Sequence, residues 1–277
     1  MSQHVFLVLG ATGKTGQRVA TQLRQRGVAV HAASRTGPTR FDWSDQRTWA
    51  PALNGVQAAY LVDSQAADAA ETLGAFSALA AANGVGRLVL LSSRDAAVSG
   101  GQAWLGSERA VQDAGADWTI LRPTWFMQNF SEMPVLRDAV VRDTVTLPAG
   151  DGLEPFIDAD DIAEVAATVL TESGHAGQTY ALSGPRLLTF GAAVEAIAAA
   201  TGRDIHYVPV SSAKYAAHAA EVGISPELTE VLNLLCGWIS AGRNAHLSDG
   251  VQRVLGREPG DFPTYARAAA ATGVWHG

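Results

Sequence analysis

The chain has 277 residues, of which 47% are hydrophobic and 17% charged, and this is the composition of an ordinary globular protein. There are 20 basic and 27 acidic residues, and the net charge of -7 argues against a partner such as nucleic acid or anionic lipid. The single cysteine, Cys236, excludes an internal disulfide and cysteine-based zinc or iron–sulfur sites. No apolar run approaches the roughly 18 residues of a membrane span, so we expect no membrane partner and a cytoplasmic location.

Short apolar runs alternate with helix-length segments in the first half of the chain. Strands that alternate with helices predict βαβ units, and right-handed crossovers then build a doubly wound parallel sheet covered on both faces. The predicted strands are residues 5–9, 28–34, 56–62, 87–92 and 118–122.

The second half has a different pattern, in which helices predominate. A loop flanked by prolines is predicted over 123–134, and two short strands over 178–182 and 205–210. Helices are predicted over 158–170, 190–200, 211–223 and 226–240. We therefore expect a dinucleotide-binding domain over residues 1–155 and a smaller, mostly helical substrate-binding lobe over 156–277, partly interleaved with the first domain.

A glycine-rich loop, Gly10-Ala11-Thr12-Gly13-Lys14-Thr15-Gly16, follows the first predicted strand and opens a helix. Gly10 permits a tight turn, Gly13 lets the backbone approach a pyrophosphate, and Gly16 allows close packing of helix and strand. A nucleoside-triphosphatase loop needs a glycine at position 8, where this chain has valine, so that interpretation fails. The pattern predicts a Rossmann-type dinucleotide site, and a glycine-rich turn without a ligand is the alternative. The expected phosphate contacts are Gly10, Thr12, Gly13, Lys14, Thr15 and Gly16.

The end of the second predicted strand indicates which dinucleotide is bound. An acid about 20 positions beyond the loop would hold a ribose hydroxyl, but the strand ends in Ser34-Arg35 and no acid follows before Asp42. Arg35 can bind a 2′-phosphate through two hydrogen bonds, which predicts NADP(H). The alternative is that Arg35 is only a surface charge. Asp42 could accept a hydrogen bond from the adenine amine or cap the following helix.

With these residues in view, the chain resembles the atypical short-chain dehydrogenase/reductase family of the NmrA-like type. The matching segments are the glycine loop, Ser34-Arg35, Leu90-Leu91-Ser92-Ser93, Thr119-Ile120-Leu121-Arg122-Pro123, Phe156-Ile157-Asp158 and Asp161-Ile162-Ala163. Two further segments are similar to the festuclavine/agroclavine dehydrogenase-like group, namely Phe41-Asp42-Trp43-Ser44-Asp45 with Thr48-Trp49, and Leu121-Arg122-Pro123-Thr124-Trp125-Phe126-Met127-Gln128-Asn129-Phe130. Gln128 stands where that group usually has glutamate.

This resemblance implies an NADPH-dependent reductase that acts on a cyclic imine or iminium ion. The wider family includes quinone and enone reductases, isomerases, and sensors that bind the cofactor without turnover. Ordinary short-chain dehydrogenases use a tyrosine with a lysine four residues later, but the only lysines here are Lys14 and Lys214, and neither follows a tyrosine at that spacing. Reduction of a ketone creates an oxyanion that needs a proton donor, whereas hydride transfer to an iminium ion needs none.

We therefore expect an NADPH-dependent oxidoreductase of an activated acceptor in specialised metabolism, the acceptor being an iminium or imine, a quinone or a conjugated carbonyl. A cofactor-binding sensor and a redox-neutral isomerase or cyclase on the same fold are the alternatives. The expected substrate is a small molecule that is planar and apolar or cationic.

Ligands in such folds lie beyond the carboxyl ends of the strands, and this places the other candidate contacts. Further cofactor contacts are predicted at Val62, Asp63, Ser92, Ser93, Pro123, Thr124 and Phe126. A substrate pocket is predicted at Trp104, Trp125, Asn129, Phe130 and Phe156. The loop that carries Trp125, Phe126, Asn129 and Phe130 is expected to supply an aromatic wall, with core packing between the lobes as the alternative.

Three residues are weak catalytic candidates: Glu108, Asp158 and Ser92. Glu108 lies four positions after Trp104 on a predicted helix, and a solvated or salt-bridged helix residue is the alternative for it. Ser92 can instead form a bond within the turn at the strand end. Asp160 or Asp161 is expected to be a helix N-cap. The 7 histidines show no metal-ligand spacing, and no metal is assigned.

Overall fold

The computed structural model describes residues 5–94 and 102–276, without the side chains of residues 102–104. Contacts divide the chain into two units that alternate along the sequence. Unit 1 contains Met1–Pro123, Ala159–Leu182 and Asp249–Arg257, and unit 2 contains Thr124–Asp158, Ser183–Ser248 and Glu258–Gly277. Among the described helices, none is long and apolar enough to cross a lipid bilayer.

Seven parallel strands form the sheet of unit 1, in the order β3-β2-β1-β4-β5-β6-β8. These strands are β1 (Val5–Val8), β2 (Ala29–Ser34), β3 (Thr39–Arg40), β4 (Val56–Val62), β5 (Arg87–Leu91), β6 (Asp117–Pro123) and β8 (Gln178–Leu182). The strand order reverses between β1 and β4, so the carboxyl ends of these two strands border the crevice where such sheets bind ligands. The doubly wound parallel sheet predicted from the sequence is confirmed.

Six α-helices belong to the described part of unit 1. They are α1 (Lys14–Gln25), α2 (Trp49–Ala52), α3 (Ala69–Ala82), α4 (Gln102–Gln112), α7 (Ala159–Thr171) and α11 (Gly250–Leu255). Leu7, Leu61, Leu90 and Ile120 of the strands join Phe76 of α3 in one fully buried apolar cluster. Burial on both faces explains why these strands appear in the sequence as continuous apolar runs.

Unit 2 is mostly helical. It contains α5 (Asn129–Glu132), α6 (Pro134–Val141), α8 (Phe190–Thr201), α9 (Ser212–Glu221), α10 (Pro226–Ser240) and α12 (Phe262–Ala271), with the parallel strand pair β7 (Thr144–Leu147) and β9 (His206–Pro209). Four phenylalanines form its centre, with ring centroids 5.1 to 5.8 Å apart: Phe130, Phe156, Phe190 and Phe262. Burial raises the pKa of the Cys236 thiol in this core to about 12, so the thiol stays protonated at neutral pH.

The structure corrects the predicted elements in unit 2. The segment predicted as a loop over 123–134 contains α5, and α6, β7 and α12 had no predicted counterpart. Strand β7 has only 4 residues and pairs with β9, which lies about 60 residues further along the chain. A short strand whose partner is so distant leaves little local signal in the sequence.

Gly16 makes the closest backbone contact in the glycine loop. A Cβ atom at Gly16 would lie 2.2 Å from the Gly10 carbonyl oxygen and 2.7 Å from the Gly10 carbonyl carbon. Gly10 itself has a φ of 61°, in the left-handed region that favours glycine. The first turn of α1 therefore rests directly on the backbone that leaves β1, and no side chain fits between them.

Gly16→Ala should lower the free energy of unfolding by about 1–3 kcal/mol, because the added methyl group overlaps backbone atoms that cannot move away. Denaturant unfolding followed by circular dichroism measures this loss. Gly237→Ala on α10 is the matched control, since a Cβ atom there meets nothing within 4 Å. We expect the control to be neutral or stabilising by up to about 1 kcal/mol. An unfolding free energy of Gly16→Ala equal to that of the wild type would contradict the role assigned to this contact.

Candidate functional site

The glycine loop presents backbone N–H groups at the start of α1. The Gly13 N–H donates to the Gly10 carbonyl oxygen at 2.8 Å, and Gly13 is the N-cap residue of α1 without a side-chain cap. No acid lies in the first turn of the helix, and Gly10, Thr12 and Gly13 are exposed. The N–H groups in the first turn of a helix have no partner within the helix, and here no side chain caps them, so this loop fits a pyrophosphate. Thr15, in contrast, is buried.

The carboxyl end of β2 carries the residues predicted to select the dinucleotide. Arg35 is exposed and acts on Asp42, whose pKa is lowered mainly by hydrogen bonds from Ser44, with a smaller contribution from Arg35. The Asp42 Oδ1 atom accepts from the Ser44 N–H at 3.0 Å and from the Ser44 hydroxyl at 2.7 Å. The cap of the following short helix is Asp45, which accepts from the Arg47 N–H, so the helix-cap alternative for Asp42 is wrong.

Arg35 differs from the two neighbouring arginines in its partners. Arg40 and Arg47 both pair with Asp45. Over residues 5–94 and 102–276, no carboxylate lies within ion-pair distance of the Arg35 guanidinium. A guanidinium without a paired acid keeps its donors available for a phosphate.

Two consecutive side chains of helix α4, Ser107 and Glu108, form hydrogen bonds with residues at the carboxyl ends of β4, β5 and β6. Ser107 donates to the Asp63 carboxylate after β4 at 3.1 Å. Glu108 accepts from the Ser92 hydroxyl after β5 at 2.6 Å and from the Arg122 Nε of β6 at 2.8 Å. A second donor of Arg122 reaches Glu108 Oε2 at 2.5 Å.

Glu108 is almost fully buried, so the cost of burying its carboxylate depends on its hydrogen-bond partners. Its side chain is 4% exposed, while that of Arg122 is 25% exposed. The hydrogen bond from Arg122 raises the pKa of the guanidinium, which stays protonated. A bidentate guanidinium compensates the cost of burying a carboxylate. Glu108 is therefore a salt-bridged helix residue, which was the alternative for it. The Ser92 hydroxyl bonds to Glu108 and not within the turn at the strand end, which was the alternative for Ser92.

In unit 2, residues 124–126 form a tight connection with residues 154–157. The Thr124 hydroxyl donates to the Pro155 carbonyl at 2.7 Å, and the Trp125 N–H donates to the carboxylate of Glu154 at 3.1 Å. Phe126 forms a parallel bridge with Ile157. The predicted contacts Thr124 and Trp125 are therefore placed by buried hydrogen bonds.

The structure separates the residues that were predicted to line a substrate pocket. Phe130 and Phe156 are fully buried in the phenylalanine centre of unit 2, where core packing is their role, and Trp125 is 9% exposed. Asn129 begins α5 and is partly exposed. The side chain of Trp104 lies outside the described residues. Among the described side chains of this set, only Trp125 and Asn129 keep surface that a substrate could contact.

The aspartates before and within α7 have structural partners. Asp158 Oδ1 accepts from the Gln128 amide at 2.7 Å, so the residue that replaces the usual glutamate is a hydrogen-bond donor to the weak candidate Asp158. Asp160 and Asp161 lie inside the first turn of α7, not at its N-cap as predicted, and pair with Arg18 and Arg257. Carboxylates in the first turn of a helix interact favourably with the helix dipole. The described residues contain no group of three or more potential metal ligands.

Sequence reasoning missed three residues of this arrangement: Arg122, Ser107 and Glu154. Arg122 was available from the strand pattern, because it lies one position beyond the registered pair of Leu91 and Leu121 and hence beside Ser92. No local signal marks Ser107 or Glu154, since each is buried only after distant segments have packed against it.

Comparison with known proteins identifies the family. A family profile described as NAD(P)H-binding matches residues 10–173. The chain belongs to this NAD(P)H-binding family. It is 33% identical to festuclavine dehydrogenase easG of Aspergillus fumigatus over 290 residues, which cover 98% of this chain and 99% of that protein.

Two solved structures share the fold. An NADPH-dependent quinone oxidoreductase from Escherichia coli in complex with NADPH has a TM-score of 0.80 at 22% identity, covering 95% of this chain and 99% of that chain. NmrA, a negative transcriptional regulator in complex with NAD, has a TM-score of 0.75 at 17% identity, covering 99% and 98%. These findings confirm the resemblance to the NmrA-like and festuclavine/agroclavine groups, the NAD(P)H cofactor and the oxidoreductase class.

Arg122→Met should lower the free energy of unfolding by about 2–3 kcal/mol, because the Glu108 carboxylate stays buried without its guanidinium. Urea denaturation measures the change. Arg18→Met is the matched control, since Arg18 pairs with Asp160, whose side chain is 67% exposed. We expect the control to lose less than about 1 kcal/mol. Equal losses in the two variants would show that the Glu108 pair is no more important than a surface ion pair.

Proposed function

We propose that the protein is an NADPH-dependent reductase that delivers hydride to an activated small-molecule acceptor, in specialised metabolism in the cytoplasm. The acceptor is an iminium ion or imine, a quinone or a conjugated carbonyl. The observation that carries this proposal is the exposed, uncapped helix N-terminus at Gly13, in a chain whose similarity to festuclavine dehydrogenase extends over its whole length.

The cofactor-binding residues are assigned by their chemistry in unit 1. The pyrophosphate is bound by the loop from Gly10 to Gly16, where the backbone N–H groups and Lys14 supply positive charge. The 2′-phosphate is bound by Arg35, with the neighbouring Ser34 as a second donor. The dihydronicotinamide ring, when bound, supplies the hydride. Further contacts are assigned to Asp42, Val62, Asp63, Ser92, Ser93 and Pro123, and those of Thr124 and Phe126 in unit 2 stay predictions.

The acid–base groups of the site favour an acceptor that needs no proton from the protein. A tyrosine with a lysine four residues later is absent from the sequence, and Glu108 is already bound by Arg122. Both oxygens of Glu108 accept hydrogen bonds from Arg122, so this side chain is engaged as an acceptor. The remaining contribution of the protein is to position the acceptor and exclude water, which suits an iminium ion or a quinone better than a simple ketone.

The two alternatives lead to different observations. A cofactor sensor would bind NADPH and NADP⁺ without transferring hydride, and its output would depend on a partner. An isomerase or cyclase would form product without net consumption of NADPH. Each of these results would replace the reductase proposal while leaving the dinucleotide site in place.

Arg35→Asp should weaken NADPH binding by about 10- to 100-fold, because the charge reversal removes a charged hydrogen bond to the 2′-phosphate and adds repulsion. Isothermal titration calorimetry with NADPH and NADH measures this, and NADH affinity should change by less than about threefold. Arg24→Asp, on the exposed side of α1, makes the same change of net charge and serves as the control. If the Arg35 variant binds NADPH as the wild type does, the 2′-phosphate assignment is wrong.

Deuteride from stereospecifically labelled NADPH should appear in the reduced product when the acceptor is a cyclic iminium ion or a quinone. Mass spectrometry of the product, with NADPH consumption followed by absorbance, measures this transfer. A simple unactivated ketone should react at least about 100-fold more slowly, since its reduction needs a proton donor and the sequence has no tyrosine–lysine pair to supply one. Rapid turnover of such a ketone contradicts the proposal.

A further inference from the structure

The dipeptide Asn-Gly occurs twice in the sequence, at Asn54-Gly55 and at Asn83-Gly84, and both copies belong to unit 1. Each copy lies in an exposed turn between a helix and a strand of the sheet. Gly55 has a φ of 73° and Gly84 a φ of 86°, and a valine follows each of them. The two copies therefore have nearly the same local sequence and exposure, and they differ in their hydrogen bonds.

Asparagine followed by glycine is a reactive sequence, because the main-chain nitrogen after the asparagine can attack the carbon of the side-chain amide. Glycine has no Cβ atom, so its nitrogen approaches that carbon with little steric hindrance. The attack requires a main-chain nitrogen that has lost its proton and an amide group that can rotate toward it. Hydrogen bonds donated by either group oppose the reaction, since they must be broken first.

At the end of α3 both of these groups are bound. The Asn83 side-chain amide donates to the Leu79 carbonyl at 2.8 Å, and the Gly84 N–H donates to the Ala81 carbonyl at 3.0 Å. The second bond is part of the pattern with which helices end at a glycine in the left-handed region. The leaving group and the attacking nitrogen of Asn83-Gly84 are therefore both held by the last turn of α3.

The turn after α2 differs in these two groups. Within the part of the chain that the structure describes, neither the Asn54 side-chain amide nor the Gly55 N–H donates to a protein acceptor. This turn is closed by the Val56 N–H, which donates to the Leu53 carbonyl at 3.1 Å. A Cβ atom at Gly55 would meet nothing within 4 Å, so no neighbouring atom blocks a ring between residues 54 and 55.

We propose that Asn54 is a modification site, at which the chain deamidates to aspartate and isoaspartate, while Asn83 is protected by the end of α3. Hydroxide removes the proton of the Gly55 nitrogen, which then bonds to the side-chain carbon of Asn54. The bond from that carbon to the amide nitrogen breaks, and the nitrogen takes a proton from water and leaves as ammonia. The product of this step is a cyclic imide.

Water then opens the imide at either of its two carbonyl groups. Opening at the side-chain carbonyl gives aspartate, and opening at the main-chain carbonyl gives isoaspartate. The net reaction consumes water and releases ammonia, and nothing is oxidised or reduced. Solvent reaches this turn because Asn54 and Gly55 are exposed, so the protein itself supplies the attacking nitrogen and solvent supplies the rest.

The two products affect the fold differently. Aspartate at position 54 adds a negative charge to an exposed turn and keeps the main chain unchanged. Isoaspartate routes the main chain through Cβ, which lengthens the segment that the bond from Val56 to Leu53 closes. Val56 is 3% exposed and begins β4, which lies between β1 and β5 in the sheet. Isoaspartate at position 54 therefore disturbs the start of a central strand.

The test compares the two dipeptides within one molecule. The protein is incubated at mildly alkaline pH, and its proteolytic peptides are followed by chromatography with mass spectrometry, which separates the asparagine, aspartate and isoaspartate forms. Conversion at Asn54 should be at least about 10-fold faster than at Asn83, because Asn83-Gly84 must first break two hydrogen bonds. The rate at Asn54 should rise with pH, since hydroxide removes the proton of the attacking nitrogen. Equal rates at the two sites, or a faster rate at Asn83, overturn the proposal.

Unfolded protein is the control for local sequence. In urea the hydrogen bonds at the end of α3 are lost, so the two rates should become nearly equal. A difference that persists in urea would assign it to local sequence and overturn the protection by α3. Asn54→Gln should abolish ammonia release at this position in the folded protein, because its longer side chain closes a larger, less easily formed ring, and should leave Asn83 unchanged. Ammonia release equal to that of the wild type would overturn the assignment to Asn54.

The effect on β4 is measured on the isoaspartate form, separated from incubated protein by chromatography, with Asn54→Asp as the matched control. The melting temperature of the isoaspartate form should lie about 2–4 °C below that of Asn54→Asp, the shift expected for the loss of one hydrogen bond in a chain of this size. Equal melting temperatures would overturn the effect assigned to the start of β4.

Discussion

The close contact between Gly16 and the Gly10 carbonyl is the constraint on which the site depends. With a Cβ position 2.2 Å from that oxygen, any other residue at position 16 would push α1 away from the end of β1. The distance between helix and strand determines where the first N–H groups of α1 point, and hence where an anion is bound. The same two glycines therefore serve the packing of the sheet and the phosphate site.

The carboxyl edge of the sheet is organised around a buried acid. Glu108 of α4 joins the ends of β5 and β6, and its neighbour Ser107 holds the end of β4. A buried carboxylate is costly unless its oxygens are satisfied, so three converging donors make this arrangement specific.

The segment over residues 121–130 resembles the clavine dehydrogenases and also contributes residues to the core of unit 2. Residues 121–130 are similar to that group in sequence, but Phe130 lies in the buried phenylalanine centre. The similarity of this segment therefore includes residues that maintain the core. Trp125, placed by its N–H bond to Glu154, combines a core position with a small exposed surface.

The parallel sheet was predictable from the amino-acid pattern alone, because strands buried on both faces appear as apolar runs and glycines at positions 10, 13 and 16 have a specific spacing. That pattern also indicated the dinucleotide class, since Arg35 and the absence of an acid before Asp42 are local facts. Three features depended on tertiary packing and were not predicted: the short strand β7, the first-turn positions of Asp160 and Asp161, and the core position of Phe156. So did the pairing of Glu108 with Ser92 and Arg122, because burial and hydrogen-bond direction depend on segments that meet only after folding, 14 to 16 residues apart in the chain.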